Sequence, residues 1–222
     1  MEKSLVLMSC LLGLTMLGTS VQAATTSGTV TFEDDTTATA PVNPTDPGSP
    51  QSPADPNNPA TGQTGTLTID VAPAKIDFGT VTTSNAAKTY NAVGSYNQYL
   101  QVSDKRTTAN GWKVTVKQDH ALTNTTTNHV LTGAVIHLPK GTARNSLNAT
   151  PSTIDTNFTT TAVDITTADQ EVISAPNQTG IGKAVTTDTW TASGVTLSVP
   201  KLTARTGNYT NTLTWTLVAA AN

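Results

Sequence analysis

The chain has 222 residues, a formal net charge of −3, only 12% charged residues and abundant threonine. That balance gives no bulk attraction to nucleic acid or to an anionic wall. Abundant threonine and sparse charged residues favour strands and loops over helices.

Residues 1–23 read as a secretory signal. Lys3 gives a positive start, residues 5–17 form the apolar run, and Val21-Gln22-Ala23 is a small-residue cleavage site. The run is too short for a comfortable membrane span. Cys10, the only cysteine, lies in this segment. The remaining ~200 residues, enough for one good core and a tail, therefore have no disulfide, no thiolate metal site and no Cys nucleophile. An extracellular chain without disulfides fits a Gram-positive exporter.

Residues 24–40 form an N-terminal tail. Within it Gly28-Thr29-Val30-Thr31-Phe32-Glu33 alternates, with Val30 and Phe32 on one face. It is expected either to fray or to fold back as a strand onto a sheet edge, its own or a neighbour's; self-pairing is slightly favoured. Residues 41–61 are a proline-rich linker, with proline at every third position from Pro41 to Pro59. Polyproline II has three residues per turn, so the expectation is a stiff, solvated spacer of ~60 Å at ~3.1 Å per residue.

Residues 62–222 read as strand, turn, strand. Leu67, Ile69 and Val71 alternate, as do Ile76 and Phe78. Leu100 and Val102 precede Asp104. Trp112, Val114 and Val116 follow the Asn110-Gly111 turn signal. Ala134, Ile136 and Leu138 end at Pro139-Lys140-Gly141, Val163 and Ile165 alternate weakly, and Val195, Leu197 and Val199 run to Pro200. Residues 141–160 and 166–188 are polar and read as long loops, with a weak helical turn around residues 167–173. Many short strands with turns between them predict an all-β fold, a single β-sandwich or barrel-like domain with long loops, preceded by the proline-rich linker.

The strongest alternation comes last, in Tyr209-Thr210-Asn211-Thr212-Leu213-Thr214-Trp215-Thr216-Leu217. Tyr209, Leu213, Trp215 and Leu217 share one face and the threonines the other. A half-buried strand must pair, and its best echo is Gly111-Trp112-Lys113-Val114-Thr115-Val116-Lys117. Trp215, between Leu213 and Leu217, is assigned to the core. Trp112, beside a turn at a strand end, is expected to be partly open to a partner.

Little here suggests chemistry. His120, His129 and His137 are spaced too widely for a common zinc site, and His137 alternates with Ile136 and Leu138 toward a wet face. Asp34 and Asp35 lack the pattern of a calcium loop. No nucleophile elbow, phosphate loop or paired carboxylates occur, so neither an enzyme, a metal nor a cofactor is expected. Lys105, Arg106, Lys113 and Lys117 make the densest basic cluster. Lys113 and Lys117 lie opposite Trp112, where they are expected either to form an ordinary charged outer face or to meet the phosphates or carboxylates of a wall polymer as point charges.

The closing Leu213-Thr214-Trp215-Thr216-Leu217 and the upstream Gly111-Trp112-Lys113-Val114 resemble the WxL domain of Gram-positive surface proteins. The upstream copy departs from the name in carrying Val114 where the motif has Leu. The resemblance includes Leu67-Thr68-Ile69-Asp70, Asp77-Phe78-Gly79, Leu100-Gln101-Val102-Ser103-Asp104 and Val195-Thr196-Leu197-Ser198-Val199-Pro200. It implies non-covalent attachment to peptidoglycan or an associated wall polymer, in complexes with other surface proteins such as WxL-interacting proteins. With no terminal apolar anchor and no Leu-Pro-x-Thr-Gly motif, the chain is expected to be either shed or held non-covalently, and the resemblance implies retention; no transmembrane anchor and no nucleic-acid partner are expected. The candidate binding residues are Trp112, Val114, Trp215 and Leu217, with Lys113 and Lys117 on the opposite face. An adhesin or pilus-like subunit assembling by strand donation, and a carbohydrate-binding module for soluble glycans, are the alternatives.

Overall fold

The computed structural model describes residues 22–108 and 110–220. It divides into two compact units, Met1–Glu33 and Asp34–Asn222. The apolar run of the expected signal and Cys10 lie outside the described residues. In the first unit, residues 22–33 form no strand, and Val30 and Phe32 are 74% and 88% exposed. The strand expected at residues 28–33 is thus not made, because two apolar side chains bury too little to hold so short a segment in a ladder.

The second unit is built of strands in this order: β1 Val42–Asn43, β2 Asp46–Pro50, β3 Leu67–Val71, β4 Lys88–Asn91, β5 Asn97–Asp104, β6 Trp112–Gln118, β7 Thr123–Asn124 and β8 Val135–Leu138. There follow β9 Thr142–Asn145, β10 Thr159–Thr160, β11 Val163–Ile165, β12 Gln170–Ala175, β13 Ala184–Thr191, β14 Thr196–Val199, β15 Tyr209–Thr210 and β16 Leu213–Ala219. The one helical piece among the described residues is a single 3-10 turn at Ala192–Gly194.

All the pairings among the described residues are antiparallel, in three four-stranded sheets, β3-β5-β13-β9, β10-β12-β6-β16 and β11-β8-β14-β4, and two two-stranded ones, β1-β2 and β15-β7. The apolar faces of all three meet in one core. Leu100 and Val102 come from the first sheet, Val114, Val116 and Ile173 from the second, and Ile136, Leu138, Val163 and Leu197 from the third. Side-chain alternation thus sets which residues enter the core.

Both segments expected to be long loops contain strands: residues 141–160 hold β9 and β10, and residues 166–188 hold β12 and the first part of β13. β13 sits at the centre of its sheet between β5 and β9, and β12 between β10 and β6. β12 also replaces the expected helical turn. β13 reads Ala-Val-Thr-Thr-Asp-Thr-Trp-Thr, with few apolar residues to mark a period. Threonine still favours the pleated backbone, and the neighbours on either side provide the missing burial.

The proline-rich segment is not a free spacer. β1 and β2 pair with each other, and the segment lies on the outer face of the β3-β5-β13-β9 sheet. The Val42 N–H donates to Gln101 Oε1 at 2.8 Å, and Gln101 Nε2 donates to the Ala40 carbonyl at 3.0 Å. Tyr99 Oη donates to the Val42 carbonyl at 3.2 Å. Thr187 and Thr189 both donate to the Pro44 carbonyl, at 2.9 and 3.0 Å. Proline removes N–H donors but leaves every carbonyl as an acceptor, and the sheet's side chains supply the donors. A reading based on apolar anchors could not find this attachment, because it is made through the backbone.

Among the described residues Thr39, Arg144 and Asp188 each bury a side-chain polar atom without a hydrogen-bond partner, against the rule that interior polar atoms are paired, and Asp188 is the one that leaves a whole carboxyl group so. Asp188 on β13 is 1% exposed, and neither carboxyl oxygen has a protein hydrogen-bond partner. It shares the inward face with Trp190 and lies against Gly141, where a Cβ would collide with its carboxyl. Burial pushes its pKa up to about 7 from an ordinary 3.8. Between those values the folded protein keeps a proton that the unfolded chain has lost. Stability therefore falls as pH rises through this window and levels off above it. We expect Asp188→Asn to flatten that slope and to stabilise the protein at pH 8 by a few kcal/mol, at ~1.4 kcal/mol for each pH unit. Chemical denaturation at pH 4, 6 and 8 checks this; an unchanged slope in the variant would contradict it.

Candidate functional site

The two tryptophan-bearing strands lie side by side. β16 pairs antiparallel with β6, placing Trp215 opposite Val116, Leu217 opposite Val114 and Ala219 opposite Trp112. The pairing expected from their shared alternation is the one formed. Both strands turn the same kind of face to the core, so the motif positions meet along one inner seam.

The two rings have exchanged their expected roles. Trp112 is 1% exposed, stacks at a tilt on Phe158 with ring centroids 5.9 Å apart, and donates from Nε1 to the Gly182 carbonyl at 3.0 Å. It is a core residue, not an open one. Its strand end is covered: a Cβ at Gly111 would run into the Asn177 backbone and Ala220. The close approach of Gly182, at a φ of +76°, brings its carbonyl to the indole. Trp215 is only half-buried. It packs on Trp190 at a centroid distance of 6.2 Å, but β16 has a neighbour on one side only. An edge strand leaves its side chains less covered than a central one, whatever their hydrophobicity. Val114 is fully buried and Leu217 half-buried. Trp112 and Val114 therefore have no surface to offer a ligand.

The opposite face of this ladder is polar and accessible. Lys113 and Lys117 stand on β6 with side chains 47% and 41% exposed. Lys113 Nζ lies 3.5 Å from Glu171 and Lys117 Nζ 3.5 Å from Asp169. Across the ladder, Thr214 is opposite Lys117, Thr216 opposite Thr115 and Val218 opposite Lys113. The face thus combines hydroxyls with two solvated ion pairs of balanced charge. Such exposed pairs contribute ~0–1 kcal/mol each, so either lysine can turn to another anion at small cost.

Lys105 and Arg106 are engaged at the end of β5. Arg106 makes a two-pronged contact to the buried Asp104 at 2.9 Å for each nitrogen, and also donates to the Gly111 carbonyl. Lys183 reaches the same carboxylate at 3.4 Å. Lys105 pairs with Asp35 at 3.2 Å and donates to the Thr37 carbonyl. Asp104, Arg106, Lys183 and Leu147 line an open concavity of about 490 Å³. Lys183 is far away in sequence and no local pattern could have joined it to Arg106.

The three histidines stay apart. His120 pairs with Asp119 at 2.7 Å, His129 with the Tyr209 hydroxyl at 2.9 Å, and His137 with Asp164 at 2.9 Å on the wet side of β8. Among the described residues no three His, Cys, Asp or Glu side chains are grouped to hold a metal ion, and no helix is long and apolar enough to cross a membrane.

A search of curated proteins and a search of solved structures each returned no match. The family model described as "WxL domain surface cell wall-binding" matches residues 19–220, nearly the whole chain. The paired tryptophan strands, the all-β core around them and this match agree, and the chain belongs to the WxL family of surface, cell-wall-binding domains.

Proposed function

We propose that this chain is held non-covalently on the peptidoglycan-based wall of a Gram-positive cell by the outward face of β12, β6 and β16, and that it works there within a complex of surface proteins. What supports the reading is the division of labour on the β6–β16 ladder. The tryptophan side is consumed by the core, and the other side presents Lys113, Lys117 and the β16 threonines to solvent. Lysines on flexible stems and a row of hydroxyls suit a polymer that carries carboxylates, phosphates and sugar hydroxyls. The family is a binding one, and no catalytic constellation is invoked.

Lys113→Glu combined with Lys117→Glu should lower retention on isolated walls about tenfold while shifting the melting temperature by only a few degrees. Co-sedimentation with walls, with and without their anionic polymers, measures the first and a thermal melt the second. Undiminished retention would exclude this face.

The two tryptophans should fail differently. Trp112→Ala removes a fully buried ring and its hydrogen bond, and should cost ~3–5 kcal/mol of stability. Trp215→Ala removes a half-buried ring on an edge strand and should cost less. Equal losses on denaturant titration of the two variants would contradict the burial difference.

A further inference from the structure

The outer face of the β3-β5-β13-β9 sheet is polar yet sealed. Gln101 and Thr187 are 0% exposed, Ser103 1% and Asp70 2%. These side chains are already connected: Thr68, Gln101 and Ser103 all donate to the Asp70 carboxylate. The cover over this face includes residues 36–58 of the same chain.

The cover is read through its backbone. The carbonyls of Ala40, Val42 and Pro44 accept from Gln101, Tyr99 and the Thr187–Thr189 pair. They lie at every second residue, the spacing at which an extended chain shows carbonyls on one side. Lys105 donates to the Thr37 carbonyl, and Gly65 N–H to that of Thr36. At the other end the Asn58 side chain bonds both the Asn97 carbonyl and the Tyr99 N–H. Tyr99 is fully buried on this face and lies outside the main core cluster, so losing the cover lets water replace hydrogen bonds but also uncovers this ring, and a docked segment is favoured over an empty face.

The connection to β3 is short. Thr61 N–H is anchored on the Asp70 carbonyl and Gly65 N–H on that of Thr36. Between these anchors residues 62–64 are exposed, and Gly62 and Gly65 have φ of +72° and +142°. Glycine adopts these two backbone conformations readily, and a short constrained hinge is what favours exchange between copies.

We propose that this sheet face is a receptor for an extended, proline-bearing strand, and that residues 34–61 of a second copy of the chain can occupy it, giving a reciprocal two-fold dimer. Every contact made within one chain is reproduced between two, because the same segment meets the same side chains. Only the path of residues 62–65 differs. The inference stands apart from wall attachment, which uses another sheet.

Two experiments test it. Deleting Gln63 and Thr64 leaves the segment and the face intact but removes the turn that folds one onto the other; light scattering after size exclusion should then show a doubled mass. A folded monomer would overturn the proposal. Second, a chain lacking residues 34–50 is mixed with a chain carrying Gln101→Ala, Thr187→Val and Thr189→Val. The first has an open face and the second an undocked segment, so a 1:1 complex should form at tens of micromolar. If both chains keep the β-sheet circular-dichroism spectrum and remain separate, the proposal fails. The Lys113→Glu, Lys117→Glu chain carrying the hinge deletion should dimerise equally, which separates this result from any change in wall retention.

Discussion

The pairing of β16 with β6 is the contact on which the rest of the domain depends. β6 is flanked by β12 on one side and β16 on the other, and its inward residues Trp112, Val114 and Val116 are 1% exposed or less. Burying an indole of this size removes roughly 150–250 Å² from water. Its single polar atom is satisfied by a carbonyl from the loop ahead of β13, so the ring also joins the second sheet to the strand that centres the first. The Trp190–Trp215 contact provides another tie between the same two sheets. A family marked by tryptophans is marked here by the residues that close its core.

A side chain that is fully buried cannot meet a wall polymer, however characteristic it is of the family. In an alternating strand the complementary positions face out, and on β6 these are Lys113 and Lys117. Their ion pairs to Glu171 and Asp169 keep the face neutral, consistent with a chain whose net charge gives no long-range pull toward an anionic surface. The recognition proposed for this face would rest on close contacts and hydroxyl geometry.

Parts of this arrangement are readable from residue order and parts are not. Strands with a strict apolar period, such as β6, β8, β14 and β16, announce themselves because one face must be buried. β13 does not: its threonines and Asp188 hide a central strand, since both its faces are covered by neighbours that the local sequence cannot reveal. The relative burial of Trp112 and Trp215 was likewise inaccessible. Both alternate with aliphatic residues, and the difference comes from β16 being an edge and from residues 177–182 closing over the end of β6. The proline-rich segment carries the same lesson. Its period of three describes a rod in isolation, whereas its carbonyls find donors on Tyr99, Gln101, Thr187 and Thr189. Interactions made through the backbone leave little trace in hydrophobic patterning.

The central claim is that the tryptophan side of the β6–β16 ladder builds the fold and the lysine side meets the wall. Lysine acetylation footprinting of the intact protein, with and without isolated cell walls, tests it most directly. The account predicts that walls protect Lys113 and Lys117 while Lys75, 65% exposed at its side chain and remote in sequence from this ladder, keeps its reactivity. Unchanged labelling of Lys113 and Lys117 in protein that has sedimented with walls would contradict it.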